Sequence, residues 1–228
     1  DTDLIKVITG VRRSGKSVLV RLYRDYLKSQ DIADEQIIYL NFEELELLSV
    51  RTAEALIAVL TPKLDKTLHQ YLMFDEIQMV DGWQTVINGL RVSYDCDIIV
   101  TGSNAKMLSG ELATLLSGRY VEIPIYPFSF KEFLAAKKIT SDSREIDQAF
   151  IEYEKYGGFP LVTLSQVELK DAILSSLYDT ITLKDVAERA KVRDIESLRA
   201  LVAFLADNIG QLVKPAKVAG VLKSEGIS

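Results

Sequence analysis

Cysteine, histidine and tryptophan are almost absent from this sequence. In 228 residues each occurs once, as Cys96, His69 and Trp83. One cysteine excludes an internal disulfide framework and fits a reducing compartment. Because no histidine lies near it in sequence, Cys96 is expected to be a packing residue rather than a nucleophile. We expect His69 to lie on the surface and Trp83 to anchor a helix to a sheet.

Long uncharged apolar runs are also missing. None approaches the roughly 18 residues that a membrane-spanning helix needs. The chain opens with Asp1 and Asp3, which is unlike a signal peptide. A net charge of −6 argues against a surface made mainly to coat nucleic acid. These observations predict a cytoplasmic protein with no membrane contact.

Apolar segments of strand length alternate with helix-period segments in the first 125 residues. Strands are predicted at residues 4–9, 36–42, 71–74, 97–101 and 120–125. Strands separated by helices indicate a parallel sheet covered on both faces, a three-layer α/β core. After Pro124 only helices are predicted, at residues 145–156, 170–190 and 195–208, preceded by a capping box from Ser129 to Glu132.

This pattern divides the chain into three expected parts. Residues 1–138 form the α/β core, and residues 139–210 form a helical lid. Residues 211–228 resemble the first helix and turn of a helix-turn-helix, so we expect the start of a truncated winged-helix-like domain there.

Residues 10–17 match the phosphate-loop pattern G-x-x-x-x-G-K-[S/T] without departure, between a predicted strand and a predicted helix. Glycines let successive backbone amides point at phosphates, and the helix adds its positive end. The lysine can reach the β- and γ-phosphates, and the serine hydroxyl can ligate Mg²⁺. The alternative is a glycine-rich turn without a ligand. The expected nucleotide-binding residues here are Gly10, Val11, Arg12, Arg13, Ser14, Gly15, Lys16, Ser17 and Val18.

A second motif ends the strand predicted at residues 71–74, where four apolar residues precede Asp75 and Glu76. A buried strand that delivers an aspartate to its carboxyl end can hold the magnesium shell, so Asp75 and Ser17 are the expected metal residues. Glu76 is placed to activate a water for attack on a γ-phosphate. Its alternative is a solvated acid at a strand end.

Taken together, these motifs resemble bacterial and archaeal AAA-type ATPases, close to the STAND-like archaeal ATPases. Six segments carry the resemblance, in the expected order: residues 9–17, 74–78, 101–104, 116–120, 126–130 and 156–160. The resemblance implies a P-loop NTPase core that binds ATP with Mg²⁺ and hydrolyses it. It also implies a helical lid whose turn at Gly158 and Pro160 approaches the adenine, followed by a winged-helix-like domain.

Three further roles are expected from ATPases of this kind. The strand predicted at residues 97–101 should lie between those that carry the phosphate loop and the acidic pair. Its tip should present a γ-phosphate sensor, and both Ser103 and Asn104 fit; a helix-capping turn is the alternative. Arg119 occupies the place where AAA ATPases present an arginine to a neighbouring subunit. It would otherwise close the strand by pairing with Glu111 or Glu122.

The expected function is therefore ATP hydrolysis by water attack on the γ-phosphate, coupled to rearrangement of core and lid. The main alternative is a slow nucleotide-dependent switch that regulates by binding DNA or protein. A small-molecule kinase is disfavoured by Asp75 and Glu76, and a GTPase by the absence of an Asn-Lys-x-Asp signature. The expected partners are ATP and ADP, a second copy of the chain, and DNA or protein at the C-terminal domain.

Overall fold

The computed structural model describes residues 4–102, 116, 118–140, 143–187, 194–216, 218 and 220. Its central feature is a five-stranded parallel sheet in the order β2-β3-β4-β1-β5. The strands are β1 (Ile5–Thr9), β2 (Ile37–Asn41), β3 (Gln70–Asp75), β4 (Cys96–Thr101) and β5 (Tyr120–Pro124). All five predicted strands are confirmed, and no bound differs by more than one residue.

Helices cover the sheet on both faces, as expected for parallel strands with near-continuous apolar sequences. Helix α1 (Lys16–Ser29) follows β1, α2 (Ala53–Leu60) follows β2, and α3 (Trp83–Ser93) follows β3. Short 3₁₀ turns lie at Asp34–Gln36, Leu45–Leu47, Thr61–Lys63 and Ile77–Met79.

The core has two parts, one on each face of the sheet. The larger part packs α2 and α3 against the strands, and Trp83 belongs to it, which confirms the predicted anchoring role. The smaller part packs α1 through Val20 and Leu27 against Ile8 and Met73. The strand order places β4 between β1 and β3, as the resemblance to AAA-type ATPases implies. The carboxyl ends of these three strands therefore meet at one edge.

Helices follow β5 in the described residues. The first, α4 (Phe130–Ala136), begins at the predicted capping box: Ser129 N–H donates to Glu132 Oε2 at 2.8 Å and Glu132 N–H donates to Ser129 Oγ at 3.4 Å. It is followed by α5 (Ser143–Tyr156) and α6 (Pro160–Leu164). Contacts divide the chain into two compact units, residues 1–164 and 165–228. The boundary lies inside the segment 139–210 that the sequence predicts as a lid.

The second unit contains α7 (Val167–Tyr178), a π-helical stretch (Asp179–Val186) and α8 (Ile195–Asp207). The prediction of one continuous helix over residues 170–190 differs from this. Thr180 and Thr182 are β-branched, and the Thr180 hydroxyl donates to the Ser176 carbonyl at 2.8 Å, both of which disfavour regular α-helix. Asp194 caps α8 as predicted. None of the helices described is long and apolar enough to span a membrane.

Candidate functional site

The loop between β1 and α1 is shaped by two glycines with positive φ. Gly10 has φ 151°, and a Cβ there would lie 2.3 Å from the Ile125 carbonyl oxygen, so no other residue fits without moving the backbone. Gly15 has φ 106° and immediately precedes α1, and a Cβ there would meet nothing within 4 Å. Gly10 is thus required by close packing, and Gly15 leaves open space at the start of the helix.

Lys16 lies folded back over this loop and is buried. Its ammonium donates to the carbonyls of Gly10 and Val11, both at 3.0 Å. Ser14 is buried as well, and its Oγ has no hydrogen-bond partner among the described residues. A buried hydroxyl without a partner costs roughly 1–3 kcal/mol, so the loop gains from a ligand that supplies one. An anion with several acceptor oxygens, such as a phosphate, meets this need beside the lysine.

The remaining predicted residues of the phosphate loop differ in their exposure to solvent. Arg13 has φ 61° and Gly15 has φ 106°, and left-handed residues of this kind occur in anion-binding nests. Val11, Arg13 and Val18 are exposed, while Arg12 and Ser17 are half-buried.

Asp75 lies at the end of β3 and is fully buried. The Tyr39 hydroxyl donates to its Oδ2 at 3.0 Å, and the Thr101 hydroxyl donates to its Oδ1. Burial and the adjacent negative charge of Asp75 raise the pKa of Tyr39, so this phenol stays protonated and remains a donor. The two hydroxyl donors leave further lone pairs on the carboxylate oxygens for a cation.

Glu76 follows in a left-handed conformation, with φ 56° and ψ 42°. Its backbone N–H donates to Thr101 Oγ1 at 3.1 Å, and its Oε2 accepts a hydrogen bond from Gln78 Nε2. Burial raises the pKa of Glu76 above its ordinary range, while the Gln78 bond and the positive charge of Lys16 oppose the rise. Because β1 and β3 are parallel and flank β4, the acidic pair and the phosphate loop lie at the same edge of the sheet.

Tyr39, Thr101 and Gln78 have roles here that the sequence did not predict. Thr101 connects the two acids, because its hydroxyl donates to Asp75 and accepts from the Glu76 amide. Thr101 could have been found from the sequence, because it is a polar residue at the end of an apolar strand. No sequence signal identified Tyr39, because the sequence does not show that its side chain reaches Asp75 across the β2–β3 pair.

These residues fit a magnesium ion with oxygen ligands. Asp75 keeps lone pairs beyond its two hydroxyl donors, and the Ser17 hydroxyl makes no hydrogen bond to a described residue. Within the described ranges no three His, Cys, Asp or Glu side chains cluster as a metal site. An ion held here would therefore need oxygens from a bound phosphate and water, the usual mode of Mg²⁺.

Arg119 lies at the amino end of β5 and is exposed. Its carbonyl accepts from Ile5 N–H at 2.9 Å, but its side chain has no carboxylate partner among the described residues. The alternative pairing with Glu122 is not observed, because Glu122 Oε1 instead accepts from the Thr9 hydroxyl at 2.7 Å. Glu111 lies outside the described residues. The role of Arg119 between subunits stays a prediction.

The turn at residues 157–160 packs against the segment that follows β5. Gly158 is buried, and a Cβ there would lie 2.0 Å from the Phe128 carbonyl oxygen. Phe128 N–H donates to the Gly158 carbonyl at 2.7 Å, and the Tyr153 hydroxyl donates to the Phe128 carbonyl at 2.9 Å. Pro160 is half-buried and begins α6. Packing alone accounts for Gly158, so its approach to an adenine stays a prediction.

The two sensor candidates, Ser103 and Asn104, lie outside the described residues. His69 is at the surface, as predicted, with Nδ1 2.9 Å from an oxygen of Asp95. Cys96 packs against the larger core, also as predicted.

A parallel sheet of this order, with a phosphate loop after β1 and an acidic pair after β3, defines a P-loop NTPase fold. The chain belongs to the AAA domain family, whose model matches residues 2–134. Residues 147–226 match the model of a domain of unknown function.

Two relatives cover nearly the whole chain. An uncharacterized protein of Haemophilus influenzae is 56% identical over 228 residues, which is 100% of this chain and 57% of the relative. An uncharacterized protein of Methanocaldococcus jannaschii is 36% identical, over 96% of this chain and 50% of the relative. The chain therefore spans about half the length of the curated relatives it matches.

Among solved structures, the fold is similar to Hsp104 of Saccharomyces cerevisiae in its casein complex, in an extended conformation. The TM-score is 0.52 with 15% sequence identity, over 100% of this chain and 46% of that chain. At this identity the likeness concerns the fold alone.

Proposed function

We propose that the chain binds ATP with Mg²⁺ at residues 10–18 and hydrolyses it by attack of water on the γ-phosphate. The proposal is supported by the strand order: the phosphate loop with its buried Lys16 follows β1 and the acidic pair ends β3, at the same edge of the sheet. The phosphate loop alone would support nucleotide binding but not hydrolysis. The adjacent acid, whose pKa is raised by burial, supplies a base suited to water.

The residues divide the work of the reaction. Loop amides and Lys16 bind the β- and γ-phosphates and stabilise the charge that develops on them. Ser17 and Asp75 would hold Mg²⁺, which neutralises phosphate charge when bound. Glu76 accepts one proton from the attacking water while the water oxygen forms a bond to the γ-phosphorus. The bond to the bridging oxygen breaks, and its electron pair leaves with ADP.

We also propose that nucleotide at the loop is coupled to the helices after β5. Residues 125–128 support this, because both of their ends contact a glycine that tolerates no side chain. At one end the Ile125 carbonyl lies against Gly10, and at the other the Phe128 carbonyl lies against Gly158. Ile125 N–H also donates to the Thr9 carbonyl at 2.7 Å. A shift of the phosphate loop would therefore be passed along this segment to the turn at 157–160.

Glu76→Gln tests the chemical step. The amide keeps the size of the side chain but cannot act as a base, so we expect ATP affinity to persist and phosphate release to fall by about 10²–10⁴-fold. Calorimetry measures the affinity and a phosphate-release assay measures the rate. Glu46→Gln is the matched control, because Glu46 is exposed in the 45–47 turn. If Glu76→Gln released phosphate as fast as this control, Glu76 would not be the base.

A further inference from the structure

The backbone after β3 brings the Gln78 side chain back onto Glu76. Glu76 adopts the left-handed conformation and is followed by the 3₁₀ turn Ile77–Met79. Met79 N–H donates to the Glu76 carbonyl at 3.1 Å, and Val80 N–H donates to the Ile77 carbonyl at 3.0 Å. Left-handed backbone at a residue other than glycine is strained and persists only where its surroundings hold it. Here the tight turn holds it, and it directs Gln78 Nε2 to the Glu76 carboxylate.

Among the described residues, three hydrogen bonds hold Glu76, and one of them is made by its side chain. The backbone N–H is held by Thr101 Oγ1 and the carbonyl by Met79 N–H. These two bonds set the backbone and leave the carboxylate free to rotate. The bond from Gln78 Nε2 to Oε2 is the contact that fixes the carboxylate itself.

The other half of the Gln78 amide is left without a partner. A carboxylate only accepts hydrogen bonds, so Gln78 must turn its nitrogen to Glu76 and its oxygen away. That oxygen, Oε1, is buried and has no hydrogen-bond partner among the described residues. A glutamine kept solely for stability would be a poor choice here, because a buried acceptor without a donor destabilises the fold.

We propose that Gln78 is a positioning residue for hydrolysis, which holds one oxygen of Glu76 so that the other accepts the proton of the attacking water. This inference rests on the proposed function. In the proposed step Gln78 forms and breaks no covalent bond. Its hydrogen bond restricts the Glu76 carboxylate to fewer orientations, so less conformational entropy is lost when the water reacts. Its loss should therefore slow the chemical step without weakening the phosphate cradle.

Gln78→Met removes both polar atoms while keeping the length of the side chain. A hydrogen bond to a charged group is typically strong, so we expect kcat to fall about 10- to 100-fold, with ATP affinity changed less than about threefold. The unfolding midpoint in urea should stay the same or rise, because the unpaired acceptor is gone. A merely structural glutamine would show the opposite, with lower stability and a normal kcat.

Gln36→Met is the matched control. Gln36 Nε2 also donates one hydrogen bond, to the His69 carbonyl at 2.9 Å, far from Glu76 along the chain and at the opposite end of the strands. The same substitution there should leave kcat unchanged.

A double variant separates this inference from the proposed function. If Gln78 acts through Glu76, then Gln78→Met added to Glu76→Gln should cause no further loss of rate. Equal fold losses in both backgrounds, or an unchanged kcat in Gln78→Met alone, would overturn the role of Gln78. A normal rate in Glu76→Gln alone would instead overturn the proposed function.

Discussion

Gly158→Ala should be strongly destabilising, because the new Cβ would overlap backbone rather than a movable side chain. It would lie 2.0 Å from the Phe128 carbonyl oxygen and 2.9 Å from the carbonyl carbon. Reaching even 3.0 Å from that oxygen requires a shift of about 1 Å, which rotamer changes cannot supply.

The magnitude follows from the contacts that such a shift disturbs. Relieving an overpacked site costs about 1–3 kcal/mol. The bonds from Phe128 N–H to the Gly158 carbonyl, at 2.7 Å, and from Tyr153 to the Phe128 carbonyl, at 2.9 Å, would both be strained. Each contributes about 1 kcal/mol. We therefore expect the free energy of unfolding to fall by about 3–5 kcal/mol.

Two other glycines provide matched controls for the same substitution. Gly157 has φ 68° but open space around its Cβ position, so Gly157→Ala should cost only about 1–2 kcal/mol for the left-handed backbone. Gly89 lies inside α3 with open space, so Gly89→Ala should stabilise by about 0.5–1 kcal/mol.

Urea unfolding followed by Trp83 fluorescence measures all three variants. Trp83 is the only tryptophan, and it is buried in the core of the 1–164 unit that contains these glycines. If Gly158→Ala were no more destabilising than Gly157→Ala, the close contact with Phe128 would not exist in solution.

Three further predictions concern the site. Thr101→Val should raise the Mg²⁺ concentration needed for half-maximal hydrolysis, because the Thr101 hydroxyl orients Asp75. Thr101→Ser, which keeps a hydroxyl, should need the same Mg²⁺ concentration as the unmodified chain. If Thr101→Val also needed no more Mg²⁺ than the unmodified chain, this role of Thr101 would be wrong. Hydrogen exchange at residues 157–160 should slow when ATP binds, and no dependence on ATP would remove the proposed coupling. Arg119→Ala chains mixed with Lys16→Ala chains should regain part of the phosphate release lost by each, since an arginine supplied by a neighbour can raise rates by about 10³–10⁵-fold. No recovery on mixing would leave Arg119 without a role between subunits.

Much of the fold follows from local pattern. The five apolar segments and their loops predict the strands, whereas the position of β4 between β1 and β3 is implied by the resemblance to AAA-type ATPases. These signals are local because a buried parallel strand must be apolar along its length. The phosphate loop is equally local, since eight consecutive residues carry its chemistry.

Most of the contacts missed from sequence are tertiary. Tyr39 and Thr101 reach Asp75 from two different strands, and Gly158 meets Phe128 across 30 positions. Residue type alone does not say which side of a strand faces a site, nor which glycine is required by a neighbouring carbonyl. Gln78 is different, because it lies two residues from Glu76. The left-handed backbone at Glu76, which no residue pattern signals, creates their contact.

Calorimetric titration with ATP in the presence and absence of Mg²⁺ tests whether residues 10–18 bind the nucleotide. We expect saturable, Mg²⁺-dependent binding by the unmodified chain and an affinity at least about tenfold lower in Lys16→Ala, because a charge-assisted contact to phosphate is lost. Lys28→Ala, at the far end of α1, is the matched control and should bind as the unmodified chain does. Equal affinities in Lys16→Ala and Lys28→Ala would contradict the assignment of residues 10–18 as the nucleotide site.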